Sequence, residues 1–254
     1  MPNDERLIRL DMLLLELGLA STRTKAQELI AAGKVSVNGR VVQRAGEKVS
    51  FQSEISLSEP EHPYVSRGGL KLGAALEGFA LDVNGLRALD VGQSTGGFTH
   101  CLLLRGAASV VGVDVGTGQL AEELRKDTRV TFLEKQDVRE LDPESVAPRF
   151  DFFVVDLSFV SLTKILPSLP PFLSGRAQGL VLVKPQFEVG PAKVGSGGIV
   201  RDAAAREGAV DSVKNACRTC GFTVAGVLPS PIAGGDGNQE VFLHLLQASQ
   251  GGAF

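Results

Sequence analysis

Cysteine is scarce in this chain, a positive net charge is missing, and no apolar run is long enough to cross a bilayer. Three cysteines among 254 residues make no disulfide framework. The formal net charge of −3 gives no global reason to expect a polyanionic partner. The apolar run Phe152-Phe153-Val154-Val155 is cut by Asp156, far short of a membrane span, and no apolar segment follows the opening Met1–Arg6. No internal repeat is evident. These absences point to a reducing, cytoplasmic compartment and away from a membrane. What is present is 43% hydrophobic and 22% charged residues, a balance that suits one or two globular domains rather than a disordered chain.

The average charge hides an asymmetry. Residues 19–49 hold six Lys and Arg against two Asp and Glu, so any basic surface belongs near the N-terminus. The same stretch reads as a small α+β unit. Leu and Ile recur at helical spacing over 7–17, where Gly18 can end the helix. Ser21 or Thr22 can cap a second helix from Arg23 to Ala32. Val35-Ser36-Val37 and Val41-Val42 flank Asn38-Gly39, a pair that tolerates the positive φ angles of a tight hairpin turn. Short strands near 48–51 and 55–57 complete the unit. The prolines of Glu59-Pro60-Glu61-His62-Pro63 mark a linker. The expected division is therefore 1–58, a linker at 59–64, and a larger domain at 65–254.

From residue 87 apolar strands alternate with helices, the pattern of a mostly parallel sheet covered on both faces. The spacing predicts seven strands near 87–92, 109–114, 130–134, 151–156, 180–184, 222–228 and 241–246. Helices are expected near 97–106, 118–126, 160–173 and 202–220, and a mobile Gly-rich loop at 195–198. The fold class is thus α/β, Rossmann-like, with a small α+β domain in front.

The turn after the first of these strands reads Leu89-Asp90-Val91-Gly92-Gln93-Ser94-Thr95-Gly96-Gly97-Phe98. Its glycines let backbone approach a ligand, but their spacing is not that of a dinucleotide turn. Asp114 ends the second strand, where a carboxylate can accept both hydroxyls of a ribose. Asp137, past the third strand, can receive the amine of an adenine. Asp90, ahead of the turn, can accept an ammonium. Asp90, Gly92, Ser94, Gly96, Gly97, Phe98, Asp114 and Asp137 together describe a pocket for S-adenosyl-L-methionine. A structural turn or a nicotinamide site is the competing reading.

Asp156 and Lys184 end the fourth and fifth strands, at the sheet edge where open α/β folds place ligands. A lysine closing an apolar strand needs a partner or a lowered pKa. Lys71 lies on a helix before the sheet, where a solvated side chain is the alternative, and Glu240 opens the last strand. A ribose hydroxyl is a poor nucleophile until its proton leaves, and a lysine beside a second ammonium can take that proton. The sulfonium already activates the methyl group, so this chemistry calls for no metal. The turn after strand four reads Asp-Leu-Ser-Phe, not the Asn/Asp-Pro-Pro-aromatic of amine methylation, and no Pro-Cys for cytosine carbon methylation occurs. Cys217-x-x-Cys220 is half a zinc spacing with no second half.

On these residues the catalytic half resembles the FtsJ-type ribose 2'-O-methyltransferases, whose Lys-Asp-Lys-Glu tetrad maps onto Lys71, Asp156, Lys184 and Glu240. The whole chain is similar to the TlyA family, historically called hemolysins. The similarity runs through Arg9-Leu10-Asp11, Val65-Ser66-Arg67-Gly68-Gly69-Leu70-Lys71-Leu72, Ser94-Thr95-Gly96-Gly97-Phe98-Thr99, Lys184-Pro185-Gln186-Phe187-Glu188 and Gly237-Asn238-Gln239-Glu240. Gln93, His100, Thr117 and Asp137 depart from that family's pattern around the cofactor pocket. The resemblance implies methylation of cytidine 2'-hydroxyls in ribosomal RNA or a ribosomal subunit, with S-adenosyl-L-methionine as cofactor. It also implies that 7–58 is an RNA-binding fold shared with a small-subunit ribosomal protein. Arg23, Lys25, Lys34, Arg40 and Arg44, joined by Arg67, are then the expected phosphate contacts. The Gly-rich end Ser249–Ala253 is too poor a helix former to add a terminal helix, which favours 23S rRNA over 16S rRNA as substrate. A catalytically silent ribosome-binding or assembly module, and a methyltransferase for a non-RNA substrate, remain the alternatives.

Overall fold

A computed structural model of the chain describes residues 7–17, 19–20, 22–57, 63–234 and 237–248, and of Lys25 only the backbone. Gly18, Ser21, most of the expected linker and the C-terminal Ser249–Ala253 lie outside the described residues. The chain divides into two compact units, Met1–Pro63 and Tyr64–Phe254.

The small unit opens on a strand, β1 (Leu7–Arg9), where helical spacing had placed the start of a helix. Leu7, Ile8 and Arg9 pair antiparallel with β4 (Lys48–Ser50), so a partner distant in sequence overrides local periodicity. Helix α1 (Leu10–Glu16) follows, then α2 (Arg23–Ala31). A second sheet joins β2 (Val35–Val37) to β3 (Arg40–Val41) and β5 (Ile55–Leu57), in the order β3-β2-β5. Asn38 and Gly39 both take positive φ, 50° and 78°, as the hairpin turn requires. Leu10, Leu13, Leu14, Ile30 and Val35 are fully buried between helices and strands.

The large unit begins with α3 (Gly68–Gly78) and β6 (Arg87–Val91). The elements α4 (Gly97–Leu104), β7 (Ser109–Asp114), α5 (Glu122–Arg125), β8 (Val130–Glu134) and β9 (Phe150–Val155) come next. It ends with β10 (Leu173–Val183), α6 (Pro185–Glu188), α7 (Ala203–Thr219), β11 (Phe222–Pro229) and β12 (Val241–Gln247). The seven strands run β11-β12-β10-β9-β6-β7-β8, with β12 antiparallel to both neighbours and the other pairs parallel. Helices α3 and α4 cover one face through Leu72, Ala75, Phe98 and Leu102. Helix α7 covers the other through Val210, Val213 and Cys217.

Two expected helices differ. The segment 160–173 forms three single 3-10 turns, Leu162–Lys164, Leu166–Ser168 and Pro170–Phe172. Pro167, Pro170 and Pro171 remove the N–H groups that a continuous α-helix needs, while Leu162, Leu166 and Phe172 stay buried against the sheet. The segment 118–126 shrinks to α5, because Gly118 takes φ 69° and its N–H donates to the Glu134 side chain instead. One short helix, α6, was not expected.

The order of strands decides where a ligand can sit. From β6 the chain winds outward through β7 and β8, then returns to the other side of β6 with β9 and β10. The carboxyl ends of β6 and β9 therefore flank the point where the winding reverses, which leaves a crevice there.

Candidate active site

The crevice is a cleft of about 560 Å³ between the ends of β6, β7 and β9. Gly92, Asp114, Gln136, Asp137, Asp156 and Phe159 are among its walls. A smaller extension of about 240 Å³ runs toward α3, walled by Ser66, Arg67, Lys71, Gly97 and Phe98. Gly92, Ser94 and Asp156 border both parts. Gly92 has φ 88°, and a side chain there would meet the Asp156 carbonyl oxygen at 2.2 Å. A glycine thus closes the seam between β6 and β9. The other two glycines of the turn serve packing. A Cβ on Gly96 would strike Leu124, and one on Gly97 would lie 2.2 Å from Ser66 Oγ. The Phe98 ring is buried against Phe242 at 6.2 Å between centroids.

The acidic residues expected around the cofactor take three different positions. Asp114 is pinned by two backbone donors, Ser94 N at 2.8 Å to Oδ2 and Gly116 N at 2.7 Å to Oδ1. It faces the cleft with its remaining lone pairs free to accept. Asp137 also borders the cleft, but Arg139 holds its carboxylate, Nη2 lying 2.5 Å from Oδ2. That hydrogen bond keeps the Asp137 carboxyl below its usual range despite partial burial.

Asp90 corrects the expectation of a direct ammonium contact. It is fully buried and borders neither part of the cleft. Its Oδ2 accepts the Thr99 hydroxyl at 2.6 Å, and Oδ1 has no donor. Gln93 supports the same chain, its amide donating to Thr99 Oγ1 at 2.9 Å. Gly112 makes room for that amide, since a Cβ there would lie 1.9 Å from the Gln93 side chain. Burial pushes the Asp90 carboxyl up to about 7, the Thr99 hydrogen bond opposes, and the nearby charges of Asp156 and Asp114 add to the rise.

The four residues of the expected tetrad form two ion pairs. Lys71 Nζ donates to Glu240 Oε2 at 2.5 Å, and both side chains are buried. Lys184 Nζ lies 2.6 Å from Asp156 Oδ1 and donates to Ser158 Oγ at 3.2 Å. The Lys184–Asp156 approach is close but not aligned as a hydrogen bond, so the buried Asp156 Oδ1 keeps no proper donor. Lys184 directly follows β10, and Glu240 directly precedes β12. Glu240 sits over Gly234, where a Cβ would come within 2.6 Å of its Oε1. The Asn238 side chain staples this segment to 198–200, accepting from Val200 N at 2.9 Å and donating to Gly198 O at 2.8 Å.

Beside the cleft, Phe159 is 92% exposed and holds φ 66°, a conformation that costs a bulky residue on the order of 1–3 kcal/mol. Its ring meets Phe187 at 5.4 Å. Glu188 clamps the two segments together, Oε2 accepting from Ser161 Oγ at 2.6 Å and Oε1 from Leu162 N at 2.8 Å. Sequence reasoning missed Ser158, Phe159 and Glu188 as site residues. Their positions just beyond Asp156 and Lys184 were the available signal.

In the small unit the expected phosphate contacts are unequal. Asp11 is fully buried and accepts from Arg9 Nε, Arg23 Nε and Gln27 Nε2, each at 3.0 Å. Arg9 donates a second hydrogen bond to Asp11, at 3.0 Å. These donors, Arg9 first, hold the Asp11 carboxyl far below its usual range. Arg40 pairs with Glu47, Arg44 is exposed and Lys34 is half-buried. The Lys25 side chain lies outside the described residues, and Arg67 belongs to the large unit, on the cleft extension. Among the described residues no three His, Cys, Asp or Glu side chains gather as a metal site, and no helix is long and apolar enough to cross a membrane.

This arrangement has relatives. Residues 64–247 match the model of the FtsJ-like methyltransferase family, and residues 8–55 match that of the S4 domain. A Mycobacterium tuberculosis protein named 16S/23S rRNA (cytidine-2'-O)-methyltransferase TlyA is 47% identical over 241 residues, 94% of this chain and 90% of that one. A Campylobacter jejuni protein named 23S rRNA (cytidine-2'-O)-methyltransferase TlyA is 30% identical, covering 89% of this chain and 94% of its own. Among solved structures, one described as a hemolysin of Streptococcus thermophilus is 40% identical. It superposes with a TM-score of 0.77 over 96% of this chain and 90% of its own.

Proposed function

Starting from the fact that the chain belongs to the TlyA group of FtsJ-like methyltransferases, we propose that it methylates a cytidine 2'-hydroxyl in ribosomal RNA. The observation that carries the reading is the doubled ion pair, Lys71–Glu240 and Lys184–Asp156, of which Asp156 and Lys71 reach the walls of the cleft and its extension beside Gly92. The cleft suits S-adenosylmethionine. Val115, Val138 and Ile165 give an apolar wall for a purine, and Asp114 gives an acceptor for ribose hydroxyls. When bound, that cofactor supplies a methyl group already activated by its sulfonium.

The chain's own residues do the rest. Lys184 first gives up its ammonium proton to solvent; the neutral amine then accepts the proton of the ribose hydroxyl through Nζ, and Asp156 with Ser158 fixes where that nitrogen points. Glu240 holds Lys71 in place and balances its charge inside the protein. Two buried cations without these carboxylates would repel and be costly to desolvate. Phe159, exposed and held by the Glu188 clamp, offers an aromatic face on which an unstacked base can lie. In the small unit, Arg9 and Arg23 splay from a single buried carboxylate with N–H groups left for phosphate.

Ribosomal RNA of the large subunit is the first substrate to test and 16S rRNA the second. The Gly-rich end that favoured 23S rRNA lies outside the described residues, and the Mycobacterium relative carries both RNAs in its name. Separated subunits from an unmodified strain, incubated with protein and methyl-labelled S-adenosylmethionine, should gain label at a ribose mapped by primer extension at low nucleotide concentration. Label that stays out of both subunits, or that enters a base, would overturn the reading.

A further inference from the structure

Gly234 lies buried on the loop between β11 and β12, directly against the Glu240 carboxylate. Its φ is outside the left-handed region, so backbone conformation does not by itself call for glycine there. Space does. A Cβ on Gly234 would lie 2.6 Å from Glu240 Oε1 and 3.2 Å from Cδ, whereas ordinary contact begins at 3.4 Å. Neither side can yield freely. Glu240 is buried, its backbone carbonyl accepts from Ser230 N at 2.8 Å, and its Oε2 is held by Lys71 Nζ. Opposite, Gly234 N donates to Asn238 O and Gly237 N to Gly234 O, each at 2.9 Å, while the Asn238 side chain ties the segment to 198–200. A carboxylate is planar and rigid, so pushing Oε1 aside turns Oε2 off Lys71 and leaves two buried charges mismatched.

We propose that Gly234 is a positioning residue for methyl transfer, its missing side chain reserving the space from which the Glu240 carboxylate holds Lys71. The inference rests on the ribose-methylation reading and deepens it. Gly234 borders neither part of the cleft, whereas Lys71 walls the extension. A change at Gly234 therefore reaches the substrate only through Glu240 and Lys71. Misplacing a group at a reacting centre by about 1 Å can cost about 100-fold in rate, so a single added methyl group is enough to be felt.

The test is a double-mutant cycle between positions 234 and 240, read by steady-state methylation of ribosomal subunits and by urea melts. Gly234→Ala should lower kcat by about 10- to 100-fold and leave KM for the subunits and affinity for S-adenosylmethionine within about 3-fold. Glu240→Asp draws the carboxylate back by one methylene and should lose rate on its own. On that background Gly234→Ala should cost less than about 2-fold more, because the space is already empty. The urea midpoint should likewise fall with Gly234→Ala in the wild-type background and not in Glu240→Asp. Equal losses in both backgrounds, by rate or by melt, overturn the inference. So does an unaffected Gly234→Ala protein, or a loss that falls on KM alone. If Gly234→Ala fails to fold, the double variant decides: activity equal to that of Glu240→Asp supports the reserved space, and an unfolded double variant overturns it. Failure of the wild type to methylate any ribosomal RNA would instead strike the ribose-methylation reading, and the melts, which need no activity, would still judge the reserved space.

Discussion

Among the described residues each unit buries one aspartate completely, and the two could hardly be treated more differently. Asp11 in the small unit meets two guanidinium groups and an amide, and its charge is secured. Asp90 in the large unit meets one hydroxyl, leaves an oxygen without a donor, and has two other carboxylates near enough to oppose its ionisation. Both side chains are closed to solvent, but burial dominates at Asp90, whereas at Asp11 the hydrogen-bond donors outweigh it. The small unit uses its buried carboxylate to hold arginines at the surface, at 44% and 54% exposure. The large unit keeps two of its pairs, Lys71–Glu240 and Lys184–Asp156, largely inside, where they can act on a bound molecule.

The largest effects should come from the internal pairs. Lys184→Ala and Lys71→Ala should each cut methyl transfer by at least about 100-fold, the lower range for a lost proton acceptor, and leave cofactor affinity within a few-fold. Affinity for RNA, and its dependence on salt, should stay as in the wild type, because the basic footprint belongs to the other unit. Single-turnover assays and filter binding separate these quantities. Near-normal turnover in both variants would remove the proton-transfer role.

A smaller loss should follow from Asp11→Asn. Replacing a buried carboxylate that takes charged hydrogen bonds should cost about 2 kcal/mol of stability in the small unit and weaken RNA binding, with cofactor binding unchanged. An ionised Asp11 contributes in full above its unfolded value of about 4 and loses that contribution as pH falls from there towards its lower folded value, so the variant and the wild type should converge across that acid range. Hydrogen exchange resolved to residues 7–57 measures the cost, and equal protection in both proteins at pH 7 would show the pair to be ornamental.

Near pH 4 the smallest effect of all should be that of Asp90→Asn, and it should grow as pH rises. The Asp90 carboxyl lies at about 7 in the fold against an ordinary 3.8, so the folded protein keeps a proton that the unfolded chain gives up. Its contribution is full below about pH 4 and is lost as pH rises through 7. Melting curves should show the wild type losing ground to Asp90→Asn across that window, by no more than about 1.4 kcal/mol per pH unit, with no further change above it. A wild-type curve parallel to that of the variant from pH 4 to 8 would mean that Asp90 stays ionised and that the contrast with Asp11 is one of geometry only.

Much of the fold could be read along the chain. The Asn38-Gly39 turn, the alternation of apolar strands with helices, and the Gly92 turn after β6 are local patterns with local causes. The acidic ends of β7 and β9 were visible because a charge closing an apolar strand stands out. What stayed hidden depended on distant partners. Helical spacing over 7–17 concealed β1, which exists because β4 lies beside it. Phe159 was visible only as the end of the Asp-Leu-Ser-Phe turn, and it is the fold that turns its ring out to 92% exposure. Asp90 had the type and position of a ligand-binding acid, but the strand it sits on is enclosed on both faces.

The sequence alone therefore determined which residue types stand where the chain turns, and with them the chemistry on offer: glycines after the first strand of the sheet, carboxylates and lysines at strand ends, a basic excess over 19–49. Tertiary structure decided which of these meet. Lys71 and Glu240 are 169 residues apart and share a hydrogen bond because β12 inserts antiparallel beside β10 and brings the residue before it to the end where α3 begins. No local pattern carries that pairing. Chain topology carries it, together with the high cost of burying either charge without the other.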